Sequence, residues 1–263
     1  MKFQTFLFTL IVLMLSACSS ENERERPGDA DINKEKDVIE THGSIENIDL
    51  LSRFTEHVQA GEKSSIKLIQ YTTEGDPIIS QLEYSQKLNY TLDTTYDSFG
   101  SGNVYEHECD SIKMNETGAE TTYYLMDCSG EGDIELLTVS YNTEEQDYFA
   151  VSLDSPHYKL NSARKEWIEK LEDTEKGTSD FQLSTEHLNE IYKELVFANY
   201  LEEKTLSTSC DPNDDQTYKL EVSINSGERV FEWASCDNEE DSKEMTSVAE
   251  RIIDIGKSAA QPE

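Results

Sequence analysis

Basic residues and proline are scarce in this sequence: 22 Lys and Arg stand against 55 Asp and Glu, and only five prolines interrupt 263 residues. A formal charge of −33 repels phosphate backbones and argues against nucleic acid as a partner. Together with an apolar share of 36%, it also argues against a thick buried core. No apolar run approaches the ~20 residues of a membrane span. The GxSxG elbow, the HExxH helix, the P-loop and the dinucleotide-binding glycine fingerprint are all missing. His42, His57, His107, His157 and His187 stand at no spacing from Asp or Glu that suggests a triad or a metal pair. Acid pairs are abundant, but with 55 carboxylates any spacing arises by chance, so no general acid or base is assigned. No catalytic residue, cofactor or metal ligand is assigned either. Aromatic residues, by contrast, recur in period-two and helical patterns, which argues against wholesale disorder.

The first informative stretch is the start. Lys2 precedes an apolar run from Phe6 to Leu15, and the small residues Ser16 and Ala17 lead into Cys18. Leu15-Ser16-Ala17-Cys18 matches the lipobox of bacterial lipoproteins. The expectation is a signal peptide over residues 1–17, cleavage before Cys18, a diacylglycerol thioether on its sulfur and a palmitate-like acyl chain on the freed amine. Two or three chains hold a membrane where a single one is marginal. The competing reading is an ordinary secretory signal beside a chance cysteine. On the lipoprotein reading the chain is lipid-anchored on the extracytoplasmic face of the cell membrane.

Residues 18–36 follow as the lipidated cysteine and a polar linker. Ser19 to Lys36 mixes six acids with four bases around Pro27-Gly28. As a flexible coil such a segment spans roughly 25 Å, and at most about 60 Å when stretched.

Beyond the linker two small α+β domains are expected, 37–154 and 155–263, each an antiparallel sheet with packed helices and one disulfide. In the first, Ile48, Leu51, Phe54 and Val58 recur at helical spacing, with Asn47 or Asp49 placed to cap the helix and Gly61 placed to end it. Strands are expected at Ile66 to Tyr71, Pro77 to Tyr84, Lys87 to Asp93, Val104 to Met114, Thr121 to Cys128, Ile134 to Tyr141 and Tyr148 to Leu153. The second domain reads as α-α-β-β-α. It comprises a short helix at Ser162 to Leu171, a longer one with the stripe Leu188, Ile191, Tyr192, Leu195 and Val196 behind Ser184, a hairpin around Asn225-Ser226-Gly227-Glu228, and a closing helix carrying Met245, Val248, Ile252 and Ile255. Residues 37–154 hold 24 acids and five bases, so the first domain is the expected seat of any cation-seeking surface.

With Cys18 taken by lipid, four cysteines remain and three pairings are possible. Local pairing, Cys109 with Cys128 and Cys210 with Cys236, is the one consistent with the domain split, and an oxidising compartment permits it. Each bridge would contribute on the order of 3 kcal/mol through loop closure. His107-x-Cys109 offers a rival pair of metal ligands, but no CxxC cluster accompanies it. Asp211-x-Asn213-x-Asp215 matches the opening of a calcium loop, yet Gln216 replaces the glycine and Val222 the closing glutamate. Tyr71, Tyr84, Tyr90, Tyr123 and Tyr124 offer either a ligand-stacking face or ordinary cross-strand packing.

Residues 37–140 resemble a family, the domain of unknown function 4362 found in lipoproteins of Bacillus-type Gram-positive bacteria. The resemblance is carried by Asp37-Val38, His42-Gly43, Asn47, Phe54, Ile66 and above all Tyr71-Thr72-x-Glu74-Gly75-Asp76-Pro77-Ile78. Leu82, Tyr84, Tyr90, Asp93, Asp97, Gly100, Cys109 and Tyr124-Leu125 before Cys128 extend it. Ser85-Gln86 stands where the family carries Asp-Gly in a tight turn, which leaves that turn type open. The family has no established activity, so the resemblance implies lipoprotein character and domain limits alone.

The functional expectation is a non-enzymatic binding or interaction module at the bacterial cell envelope, partnered by another envelope protein or a cationic peptide. The alternatives are a wall-acting hydrolase with paired carboxylates and an immunity-type lipoprotein that captures a cationic toxin.

Overall fold

In the computed structural model of the protein, residues 32–100, 102–171, 174–210 and 216–261 are described. Cys18 and the run at residues 211–215 lie outside them.

The chain first forms β1 (Val38–Thr41) and β2 (Ser44–Glu46), then α1 (Ile48–Ala60), β3 (Ser64–Tyr71), β4 (Pro77–Tyr84), β5 (Leu88–Asp93) and β6 (Val104–Cys109). These strands make a six-stranded sheet in the order β2-β1-β3-β4-β5-β6. It is antiparallel except where β1 lies parallel to β3, a pairing that the intervening α1 crossover makes possible. The Val104 to Met114 segment is two strands. At Asp110 the chain leaves the first sheet and enters a second one built from β7 (Ser111–Glu116), β8 (Glu120–Cys128) and β9 (Gly132–Ser140).

Helix α1 buries Ile48, Leu51, Phe54 and Val58 against Leu68 and Leu82 of the first sheet and Ile112, Tyr123 and Leu125 of the second. Full burial of such side chains is worth about 1.5–3 kcal/mol each. Gly61 ends α1 at φ 75°, where a β-carbon would be strained. Asn47 stands at the start, but its side chain does not cap the helix. Its backbone is left-handed, at φ 59°, and its amide donates to the Lys34 and Asp37 carbonyls, each at 2.7 Å.

The third sheet contains β10 (Phe149–Asp154), β11 (Tyr158–Asn161), β12 (Glu166–Leu171), β13 (Thr174–Gly177), β14 (Thr217–Ile224) and β15 (Gly227–Ala234), in the order β13-β12-β11-β10-β14-β15. It packs on α2 (Thr185–Phe197) and α3 (Glu240–Ala259). The α-α-β-β-α expectation therefore needs correction at its first element. Residues 166–171 are a strand, because Trp167 pairs across from Leu160 and is buried between Tyr158 and Phe181, with ring centroids 5.3 and 5.8 Å away. Lys165 at φ 55° also breaks any helix there. A boundary after Asp154 separates β10 from its partners, since Leu153 pairs with Leu160 and with Leu220. Ser184 caps α2 in a reciprocal box whose other member is His187: Ser184 Oγ accepts from His187 N–H at 3.2 Å, and His187 Nδ1 accepts from Ser184 N–H at 3.3 Å.

Two apolar clusters result, one under α1 and one between the third sheet and α2 and α3. Val196 and Phe197 at the end of α2 also pack against the first cluster, and the described residues from Asn33 onward form one compact unit.

Candidate functional site

The cysteines of both halves are paired, Cys109 with Cys128 and Cys210 with Cys236, at Cα separations of 4.0 and 5.9 Å. The first bridge ties the end of β6 to the end of β8. Beside it, Glu108 N–H donates to Ser129 Oγ at 3.0 Å, and Ser129 N–H donates to the Glu108 carbonyl at 2.9 Å. His107 forms no metal pair with Cys109: its Nδ1–H donates to the Ser129 carbonyl at 2.9 Å and its ring stacks on Tyr90. Among the described residues, no group of three His, Cys, Asp or Glu side chains converges as a metal site.

The tyrosines do not assemble into one ligand-stacking face. Tyr123 and Tyr90 are buried, the first with its hydroxyl 2.8 Å from Ser52 Oγ and the second 3.2 Å from Ser80 Oγ. Burial pushes both phenols above their ordinary pKa, against the opposing effect of those hydrogen bonds. Tyr71, Tyr84 and Tyr124 are half-buried, as period-two alternation places them.

The run from Tyr71 to Ile78 forms the β3–β4 hairpin. Thr72 N–H donates to the Asp76 carbonyl and Gly75 N–H to the Thr72 carbonyl, both at 2.9 Å, with Gly75 at φ 84°. Asp76 then reaches across to accept Ser98 N–H at 2.8 Å, while Asp97 accepts Phe99 N–H at 2.9 Å. Gly100 lies so close to the Asp97 carboxylate that a β-carbon would collide with it. Asp76, from the β3–β4 hairpin, and the neighbours Asp97 and Gly100 thus secure one loop at one end of the first sheet.

A cleft of about 430 Å³ lies between α1, β7 and α2, and a second hollow of about 240 Å³ adjoins it towards α3. The local periods build it. Ser52, Thr55, Glu56 and Gln59 share one face of α1, Met114 and Glu116 alternate onto one side of β7, and Lys193, Glu194 and Phe197 share one face of α2. Lys193 Nζ lies 2.6 Å from Glu116 and 5.8 Å from the ring centroids of both Tyr141 and Phe197. Arg251 of α3 pairs with Glu190 at 3.0 Å and Glu194 at 3.4 Å. Burial raises the Tyr141 phenol, with its Thr121 hydrogen bond and the Lys193 charge pulling the other way. Among the described residues, the side-chain hydrogen-bond partner of Ser52 Oγ is the Tyr123 hydroxyl, not a histidine or carboxylate base. The arrangement suits recognition of a charged, partly apolar ligand. Sequence reasoning missed Met114, Glu116, Lys193 and Phe197, because no local spacing shows that β7 and α2 come together.

Six of the nine residues lining this cleft fall in a stretch that a family model matches. Residues 35–124 match the domain of unknown function DUF4362. The DUF4362 region supplies α1 and β7, with Glu56, Met114 and Glu116, and it ends within β8; Tyr141, α2 and α3 lie beyond it. No curated protein and no solved structure matches the chain.

Proposed function

We propose that the protein is a membrane-anchored extracytoplasmic lipoprotein that acts as a non-enzymatic binding module at the bacterial cell envelope. The observation that carries this reading is Leu15-Ser16-Ala17-Cys18 at the end of a short apolar run, followed by a polar linker. Two disulfides agree with an oxidising location. In this reading a lipid on Cys18 is the anchor; among the described residues, no helix is long and apolar enough to cross a membrane. A formal charge of −33 favours cationic partners, whether an envelope protein with a basic surface or a cationic peptide.

The test is metabolic labelling of the full chain with a palmitate analogue in a Gram-positive host, followed by membrane fractionation. The unaltered chain is expected to carry the label and sediment with membranes, and Cys18→Ser to lose both. An unlabelled, soluble unaltered chain would overturn the anchor.

A further inference from the structure

The cleft between α1, β7 and α2 already holds one ammonium group. Lys193 is clasped by the Glu116 carboxylate and by the rings of Tyr141 and Phe197. A carboxylate set among aromatic faces attracts alkylammonium and guanidinium groups in general, because charge, hydrogen bond and ring quadrupole act together. Lys193 is an internal occupant of such a setting and shows which chemistry the walls favour.

The surroundings have capacity left over. Five carboxylates, Glu56, Glu116, Glu186, Glu190 and Glu194, line the cleft and its adjoining hollow against two cations, Lys193 and Arg251. Glu116, Glu190 and Glu194 are engaged with those cations, whereas Glu56 and Glu186 are exposed and have no ion-pair partner among the described residues. Between the charged rims lies apolar surface: Met114 keeps 47% of its area exposed, and Phe197 is half-buried beside it. A second copy of the chain is a poor occupant, because two bodies of charge −33 repel.

We propose that this cleft docks an extended basic segment of a partner protein, setting Lys or Arg side chains against Glu56 and Glu186 and an apolar side chain against Met114 and Phe197. The inference rests on the binding-module reading and gives it a site and a partner chemistry. Residues from the DUF4362 region and from α2 must act together, so neither half of the chain carries the site alone.

The probe is a fluorescent peptide alternating lysine and leucine, titrated at physiological salt against the full chain in detergent micelles. The variants are Glu56→Lys, Met114→Lys and, as a control on the β3–β4 hairpin, Glu74→Lys. All three positions are solvent-exposed, and unchanged thermal unfolding confirms that each variant folds. Glu56→Lys and Met114→Lys are each expected to weaken binding by about tenfold or more, with Glu74→Lys staying within about twofold. Equal weakening by all three would mean capture by overall charge: the site would fall while the binding-module reading stood. No binding by an unaltered chain that still carries the Cys18 label would overturn both the site and its partner chemistry and leave the anchor intact.

Discussion

Asn47 and Asn199 are 152 residues apart and hold each other: Asn47 N–H donates to Asn199 Oδ1 at 2.8 Å, and Asn199 Nδ2 donates to Asn47 Oδ1 at 3.1 Å. Both backbones are left-handed, at φ 59° and 47°, a conformation that Asn tolerates better than most residues. This pair fastens the entrance of α1 to the exit of α2, the two helices that form opposite walls of the cleft. Asn47→Ala leaves the Lys34 and Asp37 carbonyls without their donor and strains the backbone, which is expected to cost about 2–4 kcal/mol in urea unfolding. Asn199→Ala should cost about 1–2 kcal/mol, and the double variant less than the sum. Strict additivity would show that the two amides act independently.

Gly256 of α3 lies against the Trp167 ring, and a β-carbon there would overlap ring atoms. Gly256→Ala gains about 1 kcal/mol of helix propensity but forces the ring or the helix to move, for a net destabilisation of about 1–3 kcal/mol. Trp167 is wedged between Tyr158 and Phe181, so it cannot easily yield. A more stable Gly256→Ala variant would mean that the packing is loose.

The two disulfides differ in exposure. Cys109 and Cys128 are buried, at 1% and 4%, whereas Cys210 is exposed and Cys236 half-exposed. A mild reductant under native conditions is expected to open Cys210–Cys236 first, read by alkylation and mass spectrometry. Replacing both Cys109 and Cys128 by Ala should lower stability by about 3 kcal/mol through loop closure. Faster reduction of the buried pair would contradict the burial argument.

Stability should depend on pH at both extremes. Burial raises the phenols of Tyr90, Tyr123, Tyr192, Tyr200 and Tyr218, so the folded state holds these protons more tightly than the unfolded chain. Their contribution is complete below the ordinary tyrosine pKa of about 10 and is lost as pH rises above it. Asp237 is the opposite case. Its carboxylate accepts Ser242 Oγ–H, Glu239 N–H and Ser207 N–H, which hold its pKa below the usual value. Its contribution is present above the unfolded carboxylate pKa and fades as pH falls through the folded one. Tyrosinate absorbance that rises only together with unfolding, and a smaller acid sensitivity in Asp237→Ala, are the expected readings. Free titration of all the tyrosines in the folded protein would contradict the alkaline half.

Elements with a strong local period were readable from residues alone. The α1 stripe with its terminal Gly61, strand β4, strand β14 and the Asn225-Ser226 hairpin all lie where spacing and turn chemistry place them. Local pairing of the cysteines, read from two cysteines falling in each expected domain, is the pairing found. The misread segment, residues 162–171, shows why local signals fail. Trp167 and its neighbours carry no decisive period, and their conformation is set by Leu160 across the sheet and by aromatic rings from remote positions. Asn47 looked like a cap because Asn commonly caps helices, but its amide is drawn instead to carbonyls and to Asn199.

Composition and order of residues set the acidic character, the α+β class, the local cysteine partners and the Leu15-Ser16-Ala17-Cys18 run that motivates the proposed anchor, since each follows from side-chain chemistry or from neighbours close along the chain. The cleft followed from none of these. It exists because the polar faces of α1 and α2 and one side of β7 converge, bringing Glu116 to Lys193 and Asn47 to Asn199. Which polar faces meet is settled by the packing of the apolar ones, a long-range outcome that no local spacing encodes.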